Sequence, residues 1–211
     1  MRLLIDVDAM CKLAHWHLLS ELPQLTGVPW GSSCSLASLK YRALKAQSKL
    51  DGRLFRSPEA AAEVVRVVAL MPQLLQHSTE MLPEFQDISG IDAGEAVLLS
   101  ALASAPDTVL LTGDKRAVRA LAAMDGWVRK GFSRRIVPVE LVILGALDQF
   151  GLEWLRARVC PWKAIDVAVS VVMGSRCDAS EASVRQALTA YLGELTALCD
   201  PSLILENLPA A

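Results

Sequence analysis

The chain has little that would brace it from outside its own core or carry it into a membrane. Its five cysteines, Cys11, Cys34, Cys160, Cys177 and Cys199, are scattered and odd in number. That argues against a disulfide framework and leads us to expect a reducing cytoplasm. Long apolar runs are missing as well. The stretch 137–147 is interrupted by Glu140, and 164–173 by Asp166. Both are too short and too charged to span a bilayer, so no membrane association is expected. Met1-Arg2 leads straight into a short apolar run with no long apolar segment and small-residue cleavage site, so no signal peptide is expected. A net charge of −2 on 211 residues rules out a strong global pull on nucleic acid, and any basic binding surface must be local. There is no internal repeat and no low-complexity tract beyond an enrichment in alanine. One absence is local: residues 22–50 contain no Asp or Glu.

What is present is ample apolar material, 53% of residues, enough for one domain with an appendage. Residues 2–7 read as a central strand. A helix is expected over 10–22, stopped by Pro23, and a Gly-, Pro- and Ser-rich loop over 26–35. Further helices are expected over 36–49, over 59–70 behind a Ser57 cap with Pro58 at the first helical position, and over 73–82. Residues 92–105 read as a helix, 109–112 as a strand, and 115–124 as a helix closed by Gly126. A short strand over 134–137 precedes helices over 139–150, 161–173 and 180–199. Alternating β and α in the first two-thirds implies a mostly parallel sheet covered by helices.

Two apolar strands and one helix each deliver an acid at an end. Leu3-Leu4-Ile5 leads to Asp6, Leu110-Leu111-Thr112-Gly113 leads to Asp114, and Gly90-Ile91 leads to Asp92, with Glu95 one turn later. In a parallel sheet such ends gather along one edge, where ligands bind. Taken alone, Asp92 and Glu95 read as a capping box, and Asp114 as the cap of the helix after it. Capping and metal binding can hold together, because a carboxylate has spare acceptor capacity. Asp6 is harder to explain as a cap, since an acid at the end of a buried strand needs a partner or a cation. Asp8 reads as a solvated loop or cap residue. Hard ions such as Mg²⁺ and Mn²⁺ want oxygen ligands of this kind.

In these motifs the sequence resembles the PIN-domain family of metal-dependent nucleases. The first strand and its Asp match Leu3-Leu4-Ile5-Asp6. The Gly-Glu-Ala element that opens a central helix matches Gly94-Glu95-Ala96. The late Thr-x-Asp followed by basic residues matches Thr112-Gly113-Asp114-Lys115-Arg116. The resemblance covers residues 1–137 and implies an α/β/α sandwich with a mostly parallel central sheet, leaving 138–211 as a helical C-terminal extension. It implies Asp6, Glu95 and Asp114 as catalytic, metal-binding acids with Asp92 assisting, an Mg²⁺ or Mn²⁺ cofactor, and endonucleolytic cleavage of single-stranded RNA. Such proteins are often toxins held by an antitoxin. This chain is longer than typical toxins, so the tail is assigned to oligomerisation or to binding a protein partner. The family usually supplies another acid from a helix before the central one. With none in 22–50, Glu59 and Glu63 are the candidates to replace it; without one, a binding module that no longer cuts is the alternative.

Basic residues in 40–56, Lys40 and Lys45 among them, could track a phosphate backbone, as could Lys115 and Arg116. The plainer reading is a solvated helix face. Arg129, Lys130, Arg134 and Arg135 form a second basic cluster with the same ambiguity, and Trp30 and Phe132 are candidates for base stacking. Asp6-Val7-Asp8 and Gly113-Asp114 are also similar to motifs of haloacid-dehalogenase-like phosphatases, in which Asp6 would be the nucleophile. Met10 stands where that family has Thr or Val, and its further downstream Asp is missing around Arg119, which ranks this reading lower. Cys11, His15 and His17 lack a second ligand pair, so they are read as packing and surface residues and not as a zinc site.

Overall fold

The computed structural model describes residues 1–74 and 81–208. Its strands are β1 (Arg2–Ile5), β2 (Ser33–Cys34), β3 (Thr108–Thr112) and β4 (Ile136–Pro138). They form one parallel sheet in the order β2-β1-β3-β4. The helices α1 (Val7–His15) and α2 (Leu22–Thr26) lead to β2, and α3 (Ala37–Ser48) and α4 (Pro58–Val68) follow it. Then α5 (Leu82–Gln86) and α6 (Ala93–Ala103) precede β3, and α7 (Lys115–Ala122) and α8 (Gly126–Lys130) precede β4. The chain continues through α9 (Val139–Phe150), α10 (Leu152–Val159), α11 (Val167–Met173) and α12 (Glu181–Thr196).

The strands read as unbroken apolar runs because both faces of the sheet are covered. Alternating side chains sort them. Leu3, Ile5, Val109, Leu111 and Val137 enter one buried cluster with α1 to α4 and α9 to α11. Leu4, Leu110 and Ile136 enter a second with α5 to α8. The arrangement is α/β with an all-parallel sheet, compatible with an α/β/α sandwich. Helix α12 supplies Val184 and Leu188 to the first cluster and Leu195 to the second, so the C-terminal segment shares both cores. Near its end, Ile204 makes a parallel bridge with Ile136 of the edge strand β4. No described helix is long and apolar enough to cross a membrane.

Several local expectations need correction. Residues 26–35 are not all loop: a 3-10 turn over Trp30–Ser32 leads into β2, which is too short to leave a hydrophobic pattern. Helix α1 begins at Val7 and ends at His15, and Pro23 starts α2 instead of ending the helix before it. Proline has no amide hydrogen to lose in a first turn. Gly126 opens α8 and does not close α7. The helix expected over 161–173 is a 3-10 segment, Cys160–Ile165, broken by a non-helical Trp162 and restarted at Val167 by the Asp166 cap. The helix expected over 73–82 falls largely outside the described residues. Cys160 and Cys177 are joined by a disulfide, which runs against the expectation of five reduced thiols.

Arg134 and Arg135 of the second basic cluster have partners within the fold. The Arg135 guanidinium donates to the carbonyls of Leu102, Ala105, Thr108 and Gly131, and Arg134 pairs with Glu206. Phe132 is buried edge-on against Phe85, with ring centroids 5.8 Å apart, and cannot stack on a base.

Candidate metal and phosphate site

The strand order reverses between β1 and β3, because the chain leaves β1 for β2 on one side and returns for β3 on the other. The carboxyl ends of such a pair flank the crevice where open α/β sheets bind ligands. Here the crevice is a cleft of about 380 Å³ lined by Asp6, Asp8, Asp92, Glu95 and Asp114, with Lys12, Arg42, Arg53 and Arg116. Asp6 follows the last residue of β1, Asp92 and Glu95 open α6, and Asp114 opens α7. The four acids singled out in the sequence therefore share one cleft.

Three of the four acids are held by their local structure. Asp92 accepts from the Glu95 amide at 2.8 Å, and Glu95 accepts from the Asp92 amide at 2.7 Å, a complete capping box. Asp114 accepts from the Arg116 amide at 2.7 Å, and its other oxygen from the Arg116 guanidinium at 2.6 Å. The capping roles read from the sequence are thus present, and they leave the carboxylates facing the cleft. Asp6 and Glu95 are only 7% and 8% exposed. Burial, and then the negative charges of Asp8 and Asp92, push the Asp6 carboxyl up to about 6. Burial, with the charges of Asp114, Asp92 and Asp6, pushes Glu95 up to about 7. Burial would also raise Asp114, but Arg116 and the backbone amides outweigh it and hold it below its ordinary value.

The carboxylates offer a hard divalent ion oxygen donors, in a cleft that Lys12, Arg42, Arg53 and Arg116 also line. No ready-made chelate of three or more His, Cys, Asp and Glu side chains stands among the described residues. Binding would need the carboxylates to turn toward one another, and Asp114 to release Arg116.

Other candidates lie elsewhere. Glu63 faces His17 and Arg66, and Glu59 sits exposed in the first turn of α4; neither lines the cleft. The acid-free stretch presents Arg42 of α3 there instead. Lys115 is not free for nucleic acid: its ammonium is 2.6 Å from the buried Glu140 carboxylate and lies over the Tyr191 ring. Lys40 is exposed on α3 and lines neither this cleft nor its neighbour, whereas Lys45 lines the adjoining hollow with Arg42 and Lys49. His15 donates from Nδ1 to the Cys11 carbonyl and accepts at Nε2 from the Arg56 amide, a structural role inside the fold.

Sequence reasoning missed Lys12, which is bonded to Asp8 and Asp166 at 2.7 Å each. The i, i+4 spacing of Asp8 and Lys12 was a usable signal. Nothing in the sequence pointed to Asp166. Comparison with family models, curated proteins and solved structures found no match to this chain.

Proposed function

We propose that the protein is a PIN-like endoribonuclease that cuts single-stranded RNA with the help of Mg²⁺ or Mn²⁺. The observation that carries this reading is the meeting of Asp6, Asp92, Glu95 and Asp114, from three separate segments, on one cleft rimmed by Arg42, Arg53 and Arg116. Asp6, Glu95 and Asp114 would hold the ion, with Asp92 assisting. A bound ion supplies polarisation of the phosphodiester and an activated water. Arg42 and Arg53 would neutralise the backbone phosphates beside the cut, since guanidinium groups match phosphate oxygens in pairs. Arg116 is the residue that must move: its guanidinium exchanges the Asp114 carboxylate for a phosphate. The test is cleavage of labelled single-stranded RNA by the purified chain with Mn²⁺, Mg²⁺ or chelator. Metal-dependent cutting that Asp6→Asn and Asp114→Asn abolish supports the reading, and unchanged cutting by both variants removes it.

A second reading is a PIN-like module that binds RNA or protein without cutting. It is favoured by α3 lending the cleft Arg42 and no acid, and by Arg116 closing Asp114. RNA binding without metal-dependent cleavage would select it.

A further inference from the structure

Lys12 is an unusual residue to find at the floor of a carboxylate cleft. Its side chain is 10% exposed, and its Nζ lies 2.7 Å from Asp8 Oδ2 and 2.7 Å from Asp166 Oδ2. A buried ammonium is costly unless paired, and this one is paired twice. Asp166 reaches it as the N-cap of α11, whose Val169 amide donates to the same carboxylate at 3.0 Å. The chain also makes room for the pair. A Cβ at Gly113 would stand 2.7 Å from Asp8 Oδ2 and 2.9 Å from Lys12 Nζ, so no larger residue fits between Thr112 and Asp114 without moving them.

We propose that Lys12 is a resident cation of the cleft, taking the place of a second divalent ion, so that the site holds one Mg²⁺ or Mn²⁺ and not two. This rests on the metal-site reading above. A hard ion needs several oxygens. Once Asp6, Asp92, Glu95 and Asp114 are assigned to one ion, Asp8 is the remaining carboxylate lining the cleft, and the ammonium already holds it. Helix α3 adds Arg42 to the lining and no acid. Burial works against the Lys12 charge, but Asp8 and Asp166 outweigh it and push the group above its ordinary value. The two carboxylates thus favour the charged form of Lys12, which acts electrostatically.

The test counts Mn²⁺ bound per full-length chain by electron paramagnetic resonance titration, with no substrate present. The wild type should bind one ion. Lys12→Met frees Asp8 and Asp166 and should bind two, while Lys12→Arg should stay at one. Two ions on the wild type, or one on folded Lys12→Met, overturn the proposal and leave the metal-site reading standing. No ion on the wild type removes that reading and this proposal with it. Should Lys12→Met fail to fold, Lys12→Gln is counted in its place under the same outcomes.

Discussion

The two ends of the sheet carry clefts of opposite character. At the amino ends of β1 and β3 lies the larger, about 490 Å³, lined mainly by residues such as Leu3, Leu4, Ala101 and Ala105, with Arg2 its charged member among the described residues. At the carboxyl ends lies the smaller, about 380 Å³, lined by five acids and four bases. Volume does not distinguish a chemical site here; chain direction does. In a parallel sheet the helices that follow strands begin at the carboxyl ends. Asp6, Asp92, Asp114 and Asp166 occupy the N-cap positions of α1, α6, α7 and α11. Unpaired amides and the positive end of each helix favour an acid at that position. Asp92, Asp114 and Asp166 accept first-turn amides as caps while the Asp6 side chain makes no cap bond, and of these four Asp6, Asp92 and Asp114 line the cleft.

This contrast can be broken most directly at the level of activity. Asp6→Asn or Glu95→Gln should lower RNA cleavage by about 10³-fold, several kcal/mol of lost transition-state stabilisation, with circular dichroism unchanged. Ser104→Ala in the opposite cleft should leave the rate as it was; an equal loss there would erase the distinction. Next in size is a stability effect. Lys115→Met strands the 2% exposed Glu140 and should cost about 4 kcal/mol in urea unfolding, with RNA affinity of the folded protein unchanged. Lost affinity at unchanged stability would return Lys115 to the interface.

The acidic cleft should also leave a signature in pH. Asp6 and Glu95 keep protons in the folded protein that the unfolded chain has already released, so their contribution is present below about pH 4. It is lost as pH rises through about 6 and about 7. Metal-free stability should therefore fall across that window, by about 3 kcal/mol for Asp6 alone at 1.4 kcal/mol per unit. Asp6→Asn should flatten the fall in thermal melts, and Mn²⁺ should oppose it. A flat profile in the wild type would mean that the acids are not crowded. The smallest effect concerns the adjoining hollow. Lys45→Ala should reduce the salt dependence of single-stranded RNA binding by about 0.7 in log–log slope, the loss of one phosphate contact, and Lys40→Ala should not change it.

The parts of the fold legible in the sequence were those written by local physics. Leu3–Ile5 and Val109–Leu111 are apolar on both faces, and Ser57-Pro58 and Asp92…Glu95 are caps whose geometry spans three residues. What was hidden depended on distant partners. Ser33 and Cys34 become a strand only because β1 offers its edge. Lys12 meets Asp166 from the far end of the chain, and Lys115 looks like a surface base until Glu140 and Tyr191 are placed beside it. The candidate acids were legible because each ends an element. Of the bases beside them Arg116 was named and lines the cleft, but a basic stretch does not say which of its members turns inward: Arg42 does and Lys40 does not.

Arg135 gives the cleft a dependence on a residue that never enters it. Its guanidinium gathers the carbonyls of Leu102 and Ala105, just where α6 runs out, and those of Thr108 and Gly131. Helix α6 is a rod of 11 residues, about 16 Å long at 1.5 Å per residue, with Asp92 and Glu95 at its opposite tip. Anchoring the tail of that rod fixes how far its head advances into the crevice. A lysine at 135, offering one ammonium in place of a planar fork, would slacken the anchor and misalign the acids from the other end of the helix.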